Sequence, residues 1–284
     1  MKHVRVLFFL VTLLGASISA FANSGTITIA TFNMENFGYG KSYCKASQIG
    51  ALTDLLSQYD LVALQEVMRL SSSGRRCYDC SGILCQLDQL ERSLESATGN
   101  EWSCIHLAPM HRGSRYEYLV LVFRDTVQFL GDVGSACDLG LTSPSQKYSV
   151  GVFYDNSPVY AAFRSGNFDF IIINVHSPSS NGTSVYNASL GAAFDAVQDT
   201  DCHEQDVIMV GDFNDPSPSF DCSTHLDRIP DFNYGYDAIY IDPQFTGEGH
   251  EFCGAAGSRE VNRTLSDHPL VWAAFTTTLP DDDW

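Results

Sequence analysis

Short apolar runs that border on polar residues recur along this chain, and three segments with helical periodicity lie between them. Apolar or alternating runs of about four to eight residues are typical of strands buried on one or both faces. The predicted strands are Thr26 to Ile29, Asp60 to Glu66, Tyr118 to Phe123, Val159 to Phe163, Phe168 to Val175, Val207 to Val210, Ala238 to Ile241 and Leu270 to Phe275. The predicted helices are Lys45 to Tyr59, Ile83 to Ala97 and Asn187 to Val197. This pattern predicts two packed β-sheets with helices on the outside.

The chain of 284 residues has room for one large domain or two small ones, and no linker or internal repeat divides it. We therefore predict a single domain over residues 23–284. Residues 1–22 combine a basic start, the apolar run Val6 to Leu14 and the small residues Ala20 and Ala22, as in a secretory signal peptide. A membrane anchor, the alternative, needs about 20 apolar residues, and the apolar run is shorter. The protein is thus expected to be secreted, or periplasmic if its source is bacterial.

Nine cysteines in a chain with an export signal indicate disulfides, with one thiol left over. A zinc site at Cys77-x-x-Cys80 with Cys85 is the alternative. It is disfavoured because no fourth ligand lies at the spacing of a zinc finger.

The chain is strongly acidic, with 34 acidic against 16 basic residues and a formal charge of −18. Loss of Lys2 and Arg5 with the signal segment leaves 14 basic residues and a charge of −20. Tight binders of nucleic acid neutralise phosphates with lysine and arginine, so this charge disfavours that class. An enzyme that contacts a polyanion briefly and recruits divalent cations is compatible with it.

Asp212 and Asn214 follow the apolar run Val207 to Val210, and residues two apart in extended backbone point the same way. A carboxylate and an amide that leave a buried strand together can bind a cation or a phosphate oxygen. The alternative is an ordinary Asp/Asn turn before Pro216.

Two histidines also border predicted strands. His176 ends the most hydrophobic strand, and His268, next to Asp267, lies just before the last one. A histidine can pass a proton to a leaving oxygen when a carboxylate holds its other ring nitrogen. Taken alone, His176 is better explained as a histidine that caps a strand.

Three further acids, Glu66, Glu117 and Asp237, lie at the ends or starts of predicted strands. A buried carboxylate without compensation is costly, which indicates a cation or a hydrogen-bond partner for each. Six strand ends that each carry a polar residue indicate one shared site.

These residues fall in ordered motifs that resemble those of the endonuclease/exonuclease/phosphatase superfamily. The motifs are Thr31-Phe32-Asn33-Met34, Gln65-Glu66-Val67, Glu117-Tyr118-Leu119 running to Phe123-Arg124, His176-Ser177, Gly211-Asp212-Phe213-Asn214, Tyr236-Asp237 and Ser266-Asp267-His268-Pro269. The signal segment, the segment that begins at Glu117 and the His176-Ser177 loop are most similar to the secreted deoxyribonuclease I group. The match spans about Thr26 to Phe275.

The resemblance implies a four-layer α/β sandwich of two packed mixed sheets, with the active site at one edge of the paired sheets. By this resemblance Glu66 binds the catalytic Mg2+, supported by Asn33, Asp212 and Asp267. Asn214 contacts the scissile phosphate, and Asn33 is a second substrate contact. The sparse set of oxygen ligands suits Mg2+, with Mn2+ as a substitute and Ca2+ in a structural role.

The resemblance further implies two acid/base pairs, His176 with Glu117 and His268 with Asp237. Cleavage of a phosphodiester needs an activated water and a proton for the departing oxygen. We assign His268 as the base and His176 as the acid. The carboxylate partners fix the tautomers and should raise the pKa of each histidine.

Two positions depart from the deoxyribonuclease I group. Met68 and, by alignment, Asn156 stand where that group has arginines that contact DNA. Nearby arginines are predicted to substitute for them: Arg69, Arg112 and Arg115. The cysteine-rich insertion Ser71 to Cys85 also departs from that group and alters the surface that faces the substrate.

The resemblance thus predicts a monomeric, Mg2+-dependent endonuclease that cuts DNA to 5′-phosphate ends with little sequence preference and without stable membrane insertion. Fold does not fix substrate, so a sphingomyelinase-like phospholipid phosphodiesterase or a phosphoinositide phosphatase is the alternative. A lipid enzyme is expected to expose an apolar hairpin, for which Phe129-Leu130 is the candidate. A binding protein that has lost turnover is the third hypothesis, and the complete set of site residues argues against it.

Overall fold

The structure of the protein is a computed structural model. It describes residues 25–37, 48–69, 83–106, 110–112, 115–130, 158–179, 182–200, 205–222, 225–229, 235–247 and 251–280. The predicted signal peptide lies outside these residues, as do Asn156 and most of the cysteine-rich insertion.

Three helices and thirteen strands form within the described residues. The helices are α1 (Ile49–Leu56), α2 (Ile83–Thr98) and α3 (Thr183–Thr200). The first sheet contains β1 (Thr26–Phe37), β2 (Leu61–Arg69), β3 (Trp102–His106), β4 (Met110–Arg112), β5 (Arg115–Arg124), β12 (Phe252–Arg259) and β13 (Leu270–Thr276). The second contains β6 (Gln128–Phe129), β7 (Val159–Ser165), β8 (Phe168–His176), β9 (Val207–Asp212), β10 (Asp227–Ile229) and β11 (Asp237–Ile241). None of the described helices has the length and apolar character that would let it cross a bilayer.

Both sheets are mixed. The first has the order β12-β13-β1-β2-β5-β3, with β4 also paired to β5, and the second has the order β10-β11-β9-β8-β7-β6. Strands β1 and β2 are parallel, as are β8 and β9, while the other pairs are antiparallel. The two parallel pairs lie near the middle of their sheets. They carry their carboxyl ends, with Glu66 and His176, to one end of the molecule.

Three apolar layers hold the elements together. The layer between the sheets takes alternate residues of the facing strands, among them Ile29, Ala63, Leu121, Ile172 and Ile208. A second layer packs α1 and α2 on the first sheet, and a third packs α3 on the second. The order is therefore helices, sheet, sheet, helix. This confirms the predicted four-layer α/β sandwich.

The predicted strands and helices form, and the differences lie at their ends and at the sheet edges. Helix α1 is described from Ile49 to Leu56, shorter than predicted, and residues 45–47 lie outside the described part. The sequence did not reveal β3, β4, β6, β10 or β12, of which β12 is the longest. Its residues are largely exposed and include Gly254 and Gly257, so it lacks the apolar period that marks a buried strand.

The described cysteines correct part of the disulfide prediction. Cys104 and Cys253 form no disulfide. Cys104 lies on β3 and Cys253 on β12, at opposite edges of the first sheet, so the fold keeps these two thiols apart. Disulfides that involve cysteines whose side chains lie outside the described part of the chain stay a prediction.

Gly211 is required where β8 and β9 run side by side. Its φ is 146°, and a Cβ built on it would lie 2.0 Å from the carbonyl oxygen of Val175, its register partner. No side chain fits that space without moving the backbone of β8. Gly211 directly precedes Asp212. The close approach of β8 and β9 at Gly211 therefore also fixes the backbone position from which the Asp212 side chain extends.

We predict that Gly211→Ala lowers the free energy of unfolding by about 2–4 kcal/mol, because the methyl group adds both backbone strain and overpacking. Urea denaturation followed by circular dichroism measures the change. Gly50→Ala is the matched control. Its Cβ would meet nothing within 4 Å, and it lies inside α1. Alanine there is expected to stabilise the protein by about 0.5–1 kcal/mol. Equal stability of Gly211→Ala and the wild type would contradict the prediction.

Candidate active site

At one end of the sandwich, polar side chains take over the face that each sheet turns toward the other. On β9, Ile208 and Val210 belong to the layer between the sheets, and Asp212 is the next residue on the same face. The same two-residue period places polar residues on five other strands: Asn33 on β1, Gln65 on β2, Glu117 on β5, His176 on β8 and Asp237 on β11. The strands thus carry these side chains into the space between the two sheets.

His176 and Glu117 form a pair that joins the sheets. Nδ1 of His176 lies 2.5 Å from Oε1 of Glu117, and both side chains are 1% exposed. The same Oε1 accepts a hydrogen bond of 3.0 Å from the backbone N–H of Glu66. Because Glu117 holds Nδ1, the other ring nitrogen, Nε2, is the one directed at the site.

His268 and Asp237 form a second pair of the same kind. Nδ1 of His268 lies 2.7 Å from Oδ2 of Asp237. Ser266 anchors the loop that carries the histidine, because its hydroxyl donates to the carbonyl of Asn33 at 2.7 Å and accepts the N–H of His268 at 3.1 Å. The loop before β13 is thereby fixed against β1.

Asp212 lies between the two imidazoles. Its Oδ2 is 3.5 Å from Nε2 of His176 and 3.9 Å from Nε2 of His268. The amide of Asn33 donates to the same oxygen at 2.9 Å. The side chain of Asp212 is 2% exposed, so this oxygen marks a buried centre that both histidines face.

Glu66 reaches this centre through an irregular backbone. The pairing of β2 with β5 shifts register between Leu64 and Val67, and Glu66 has a φ of 55°. Its Oε2 accepts the N–H of Asn36 at 2.9 Å, and its Oε1 lies 3.8 Å from Nε2 of His176. Such left-handed backbone costs about 1–2 kcal/mol for a residue other than glycine. Among the described residues other than glycine it occurs only around this site: at Glu35, Asn36, Glu66 and Asn214.

Asn214 and Asp267 complete the set of predicted residues. The N–H of Asn214 donates to Oδ1 of Asp212 at 2.8 Å, which is the Asp/Asn turn of the alternative interpretation. The turn also serves the site, because it directs the Asn214 amide to the carbonyl of Ser177 at 2.6 Å. The side chain of Asp267 is 60% exposed, and its Oδ1 lies 3.8 Å from Nε2 of His268. Every predicted site residue therefore belongs to one connected network.

Sequence reasoning missed residues that support this network. The hydroxyl of Ser177 donates to Oδ1 of Asn187 at 2.6 Å, and the amide of Asn187 donates to the carbonyl of Phe213 at 3.1 Å. Asn187 lies on α3 and is completely buried. It lies three residues before the buried Leu190 on the same helix face, and this polar residue in an apolar stripe was the available signal.

The donor set fits a divalent cation with oxygen ligands. Asp212, Asp237 and His268 each offer a ligand atom, and these atoms lie within 4.8 Å of one another. In that group Asp237 and Nδ1 of His268 already bind each other, so Asp212 is the member that faces the site. Glu66 and Asp267 bring further carboxylates to the two imidazoles. Carboxylates with an amide are the ligands that Mg2+ prefers.

The charges of the site shift two pKa values. Burial raises the pKa of Asp237 to about 6, although its hydrogen bond with His268 opposes the shift. Burial lowers the pKa of His268, but the hydrogen bond and charge of Asp237, with the charges of Asp212 and Asp267, outweigh it and raise the value to about 9. The expected rise is confirmed for His268. Between pH 6 and 9 the two side chains therefore form an ion pair.

For the arginines that are expected to contact the substrate, the structure describes the position of the backbone. Arg112 pairs with Arg115 in the β4–β5 hairpin, and Arg69 on β2 lies opposite Tyr116 of β5. Met68, at the first departing position, is buried and lies opposite Glu117. The hairpin thus places arginines at the end of the first sheet that carries Glu117.

Paired sheets with two imidazole–carboxylate pairs and oxygen ligands at one edge define the class of metal-dependent phosphoesterases. The chain belongs to the endonuclease/exonuclease/phosphatase family, whose model matches residues 30–268. Members of this family are metal-dependent phosphoesterases and nucleases that use divalent ions, typically Mg2+. A search of curated proteins finds no match.

Solved structures share the fold at low sequence identity. TDP2 from Caenorhabditis elegans has a TM-score of 0.57 and 12% identity, over 88% of this chain and 74% of that one. A mannosyl-6-phosphatase from Bacteroides thetaiotaomicron has a TM-score of 0.54 and 14% identity, over 88% of this chain and 98% of that one. A family protein from Bacteroides vulgatus has a TM-score of 0.56 and 14% identity, over 88% and 98% of the two chains. At such identity the likeness concerns the fold alone.

We predict that His268 titrates with a pKa of about 9 in the presence of EDTA and that Asp237→Asn lowers this pKa by at least about one unit, since a lost ion pair typically has that effect. Because the folded pKa of His268 exceeds the ordinary value of 6.5, protonation of His268 stabilises the fold most below pH 6.5, and this contribution is lost as the pH rises through about 9. The ion pair also needs ionised Asp237, so it is present only above about pH 6. NMR titration of the imidazole signals measures the pKa.

Asp169→Asn is the matched control for this titration. Asp169 is also a buried carboxylate, paired with Arg164 at the start of β8, far along that strand from His176. This variant should leave the pKa of His268 unchanged. Addition of Mg2+ to the wild type should lower it, because the ion competes for the carboxylates that hold the imidazolium. A wild-type pKa near 6.5 in EDTA would show that the ion pair does not form in solution.

Proposed function

We propose that this protein is a secreted, Mg2+-dependent endonuclease that hydrolyses DNA to 5′-phosphate ends with little sequence preference. The observation that carries the proposal is the pair of imidazoles whose Nε2 atoms lie 3.5 and 3.9 Å from one oxygen of Asp212. Each imidazole is held from behind by its own carboxylate. Two proton carriers that face one centre are what in-line displacement at phosphorus requires.

Glu66 would hold the ion, supported by Asp212, Asp267 and Asn33. When bound, Mg2+ neutralises charge on the phosphoryl and leaving oxygens. Asn214 contacts the scissile phosphate from the turn after β9. The carboxylates that surround this position carry more negative charge than the two imidazoles can balance, which favours a cation there.

In this proposal Nε2 of His268 accepts a proton from the attacking water, and Nε2 of His176 donates one to the departing 3′ oxygen. Asp237 and Glu117 keep the imidazoles oriented and stabilise their protonated forms. Since the neighbouring carboxylates raise the pKa of His268 to about 9 although its burial lowers it, its role as base requires that these carboxylates are neutralised in the working enzyme.

The contacts of Phe129 and Leu130 weigh against the lipid alternative. These residues were the candidate for an exposed apolar hairpin. Phe129 is partly buried and packs against the core between the sheets, and Leu130 packs against the core under α3. With these contacts neither side chain forms the exposed apolar tip expected of a lipid enzyme, which supports DNA over a phospholipid as the substrate.

We further propose that residues 1–22 direct export and are removed, and that residues 23–284 act as a monomeric catalytic domain outside the cell, or in the periplasm if the source is bacterial. The basic start and apolar run of residues 1–22 support this. The same proposal includes disulfides among the cysteines outside the described residues. Mass spectrometry of the exported protein, with and without reduction, tests both cleavage and disulfides.

The mature protein is expected to nick supercoiled plasmid DNA with Mg2+ and to lose this activity in EDTA. His176→Ala and His268→Ala should each lower kcat by about 10²- to 10⁴-fold, as is usual for loss of a general acid or base. His225→Ala is the control, because His225 is 83% exposed and pairs with Asp227 on β10. It should cleave like the wild type.

Parallel assays separate the substrate classes. Sphingomyelin liposomes, a phosphoinositide and a sugar phosphate are each incubated with the protein under the same metal conditions. If the protein cleaves a lipid or a phosphomonoester and leaves the plasmid intact, DNA is not its substrate. The proposed roles of the site residues would still stand. Full activity of either histidine variant would remove that residue from the mechanism.

A further inference from the structure

Two buried amides lie directly beneath the site and bind each other across the sheets. Nε2 of Gln65 on β2 donates to Oδ1 of Asn174 on β8 at 2.7 Å. Both side chains are completely buried. They occupy positions where the two-residue period of the facing strands otherwise places apolar residues, such as Ala63 and Ile172.

Each amide makes further hydrogen bonds that involve neighbouring strands. Gln65 also donates to the hydroxyl of Thr31 on β1 at 3.0 Å. Asn174 donates to the carbonyls of Leu64 on β2 and Val120 on β5, at 3.3 and 3.2 Å. The pair therefore connects β1, β2 and β5 of the first sheet to β8 of the second.

These strands carry the residues at the centre of the site. Gln65 directly precedes Glu66, and Asn174 lies two residues before His176 on the same face of β8. Val120 lies three residues after Glu117. A change in the separation or relative shift of β2 and β8 at the amides would move Glu66 relative to His176.

Packing alone does not account for the amides. Apolar side chains of similar volume would fill the same space and remove the polar ends of both amides, at the loss of the hydrogen bonds to the hydroxyl of Thr31 and the carbonyls of Leu64 and Val120. A hydrogen-bonded pair differs from an apolar pair in one respect, because its geometry fixes the distance and direction between the two strands.

We propose that Gln65 and Asn174 are a positioning pair that sets the placement of Glu66 relative to His176 and Glu117. Neither amide touches the reacting atoms, and both act through the strands that carry the site. The inference rests on the proposed phosphodiesterase function. In that function Glu66 binds the ion and His176 with Glu117 transfers the proton, and the two amides would keep these groups aligned.

The test compares single and double apolar replacements in the full chain. Gln65→Met and Asn174→Leu each leave the other amide buried without its partner, so each should lower stability. Each should also lower kcat for bis(p-nitrophenyl) phosphate with Mg2+ by about 10- to 100-fold, with KM within about twofold of the wild type. The double variant removes both polar ends and should recover part of the lost stability while kcat stays low. The recovery is partial because the hydrogen bonds to Thr31, Leu64 and Val120 remain absent.

Gln198→Met is the matched control. Gln198 is a buried glutamine on α3 that donates to Oδ2 of Asp242 at 3.0 Å and to the carbonyl of Gln205 at 3.1 Å. Asp242 lies beyond the end of β11 that is remote from Asp237. This variant should lose stability and keep its kcat.

Recovery of kcat in the double variant would overturn the proposal, as would an equal loss of kcat in Gln198→Met. If a single variant does not fold, the double variant carries the test. Bis(p-nitrophenyl) phosphate separates the positioning role of the two amides from the proposal that DNA is the substrate. A wild type that cleaves it but leaves DNA intact refutes the DNA substrate and still allows the kcat comparison.

A measurement that needs no turnover tests the proposal if the wild type cleaves neither DNA nor bis(p-nitrophenyl) phosphate. The proton in the 2.5 Å contact between Nδ1 of His176 and Glu117 should give a downfield NMR signal of its own. That signal should shift in Gln65→Met and in the double variant but not in Gln198→Met. An unchanged signal in the first two would also overturn the proposal.

Discussion

The structure depends on the contact between the two sheets at the end where apolar side chains give way to polar ones. Each major pair of the site takes one member from each sheet or its adjoining loop: Glu117 with His176, Asn33 with Asp212, and His268 with Asp237. Packed sheets lie about 10 Å apart, which is the distance that two facing side chains span. The inter-sheet core therefore sets the geometry of the site, and a displacement of one sheet would alter all three pairs together.

This arrangement buries carboxylates, and hydrogen bonds offset part of the free-energy cost of their desolvation. Asp212, Glu117 and Asp237 are each at most 4% exposed, and an isolated carboxylate in such a place would be strongly destabilising. Imidazoles, an amide and backbone N–H groups compensate part of the charge. The rest is concentrated near the exposed Asp267 and near Glu66, whose side chain is 15% exposed. A site with residual negative charge and an opening suits a divalent cation that arrives with the phosphate substrate.

Particular elements show how far the sequence could be interpreted. The predicted Ile83 to Ala97 helix forms as α2 because Leu87, Leu90 and Leu94 repeat on one face and are buried on the first sheet. Strand β12 escaped prediction because an exposed edge strand needs no apolar period. Disulfides were predicted from the number of cysteines, which carries no information about distance, and the free thiols of Cys104 and Cys253 lie at opposite edges of a sheet.

The sequence by itself determined which residues face the space between the sheets and at which strand ends they turn polar, because the two-residue period of a strand is a local property. Motif order was enough to indicate the family. Only the tertiary structure decided the partners. Asn33 and Asp212 are 179 residues apart in the chain, and the supporting amides Gln65 and Asn174 are 109 apart. Strand order and sheet packing bring such residues together, and these arise from the balance of the whole core rather than from any local segment.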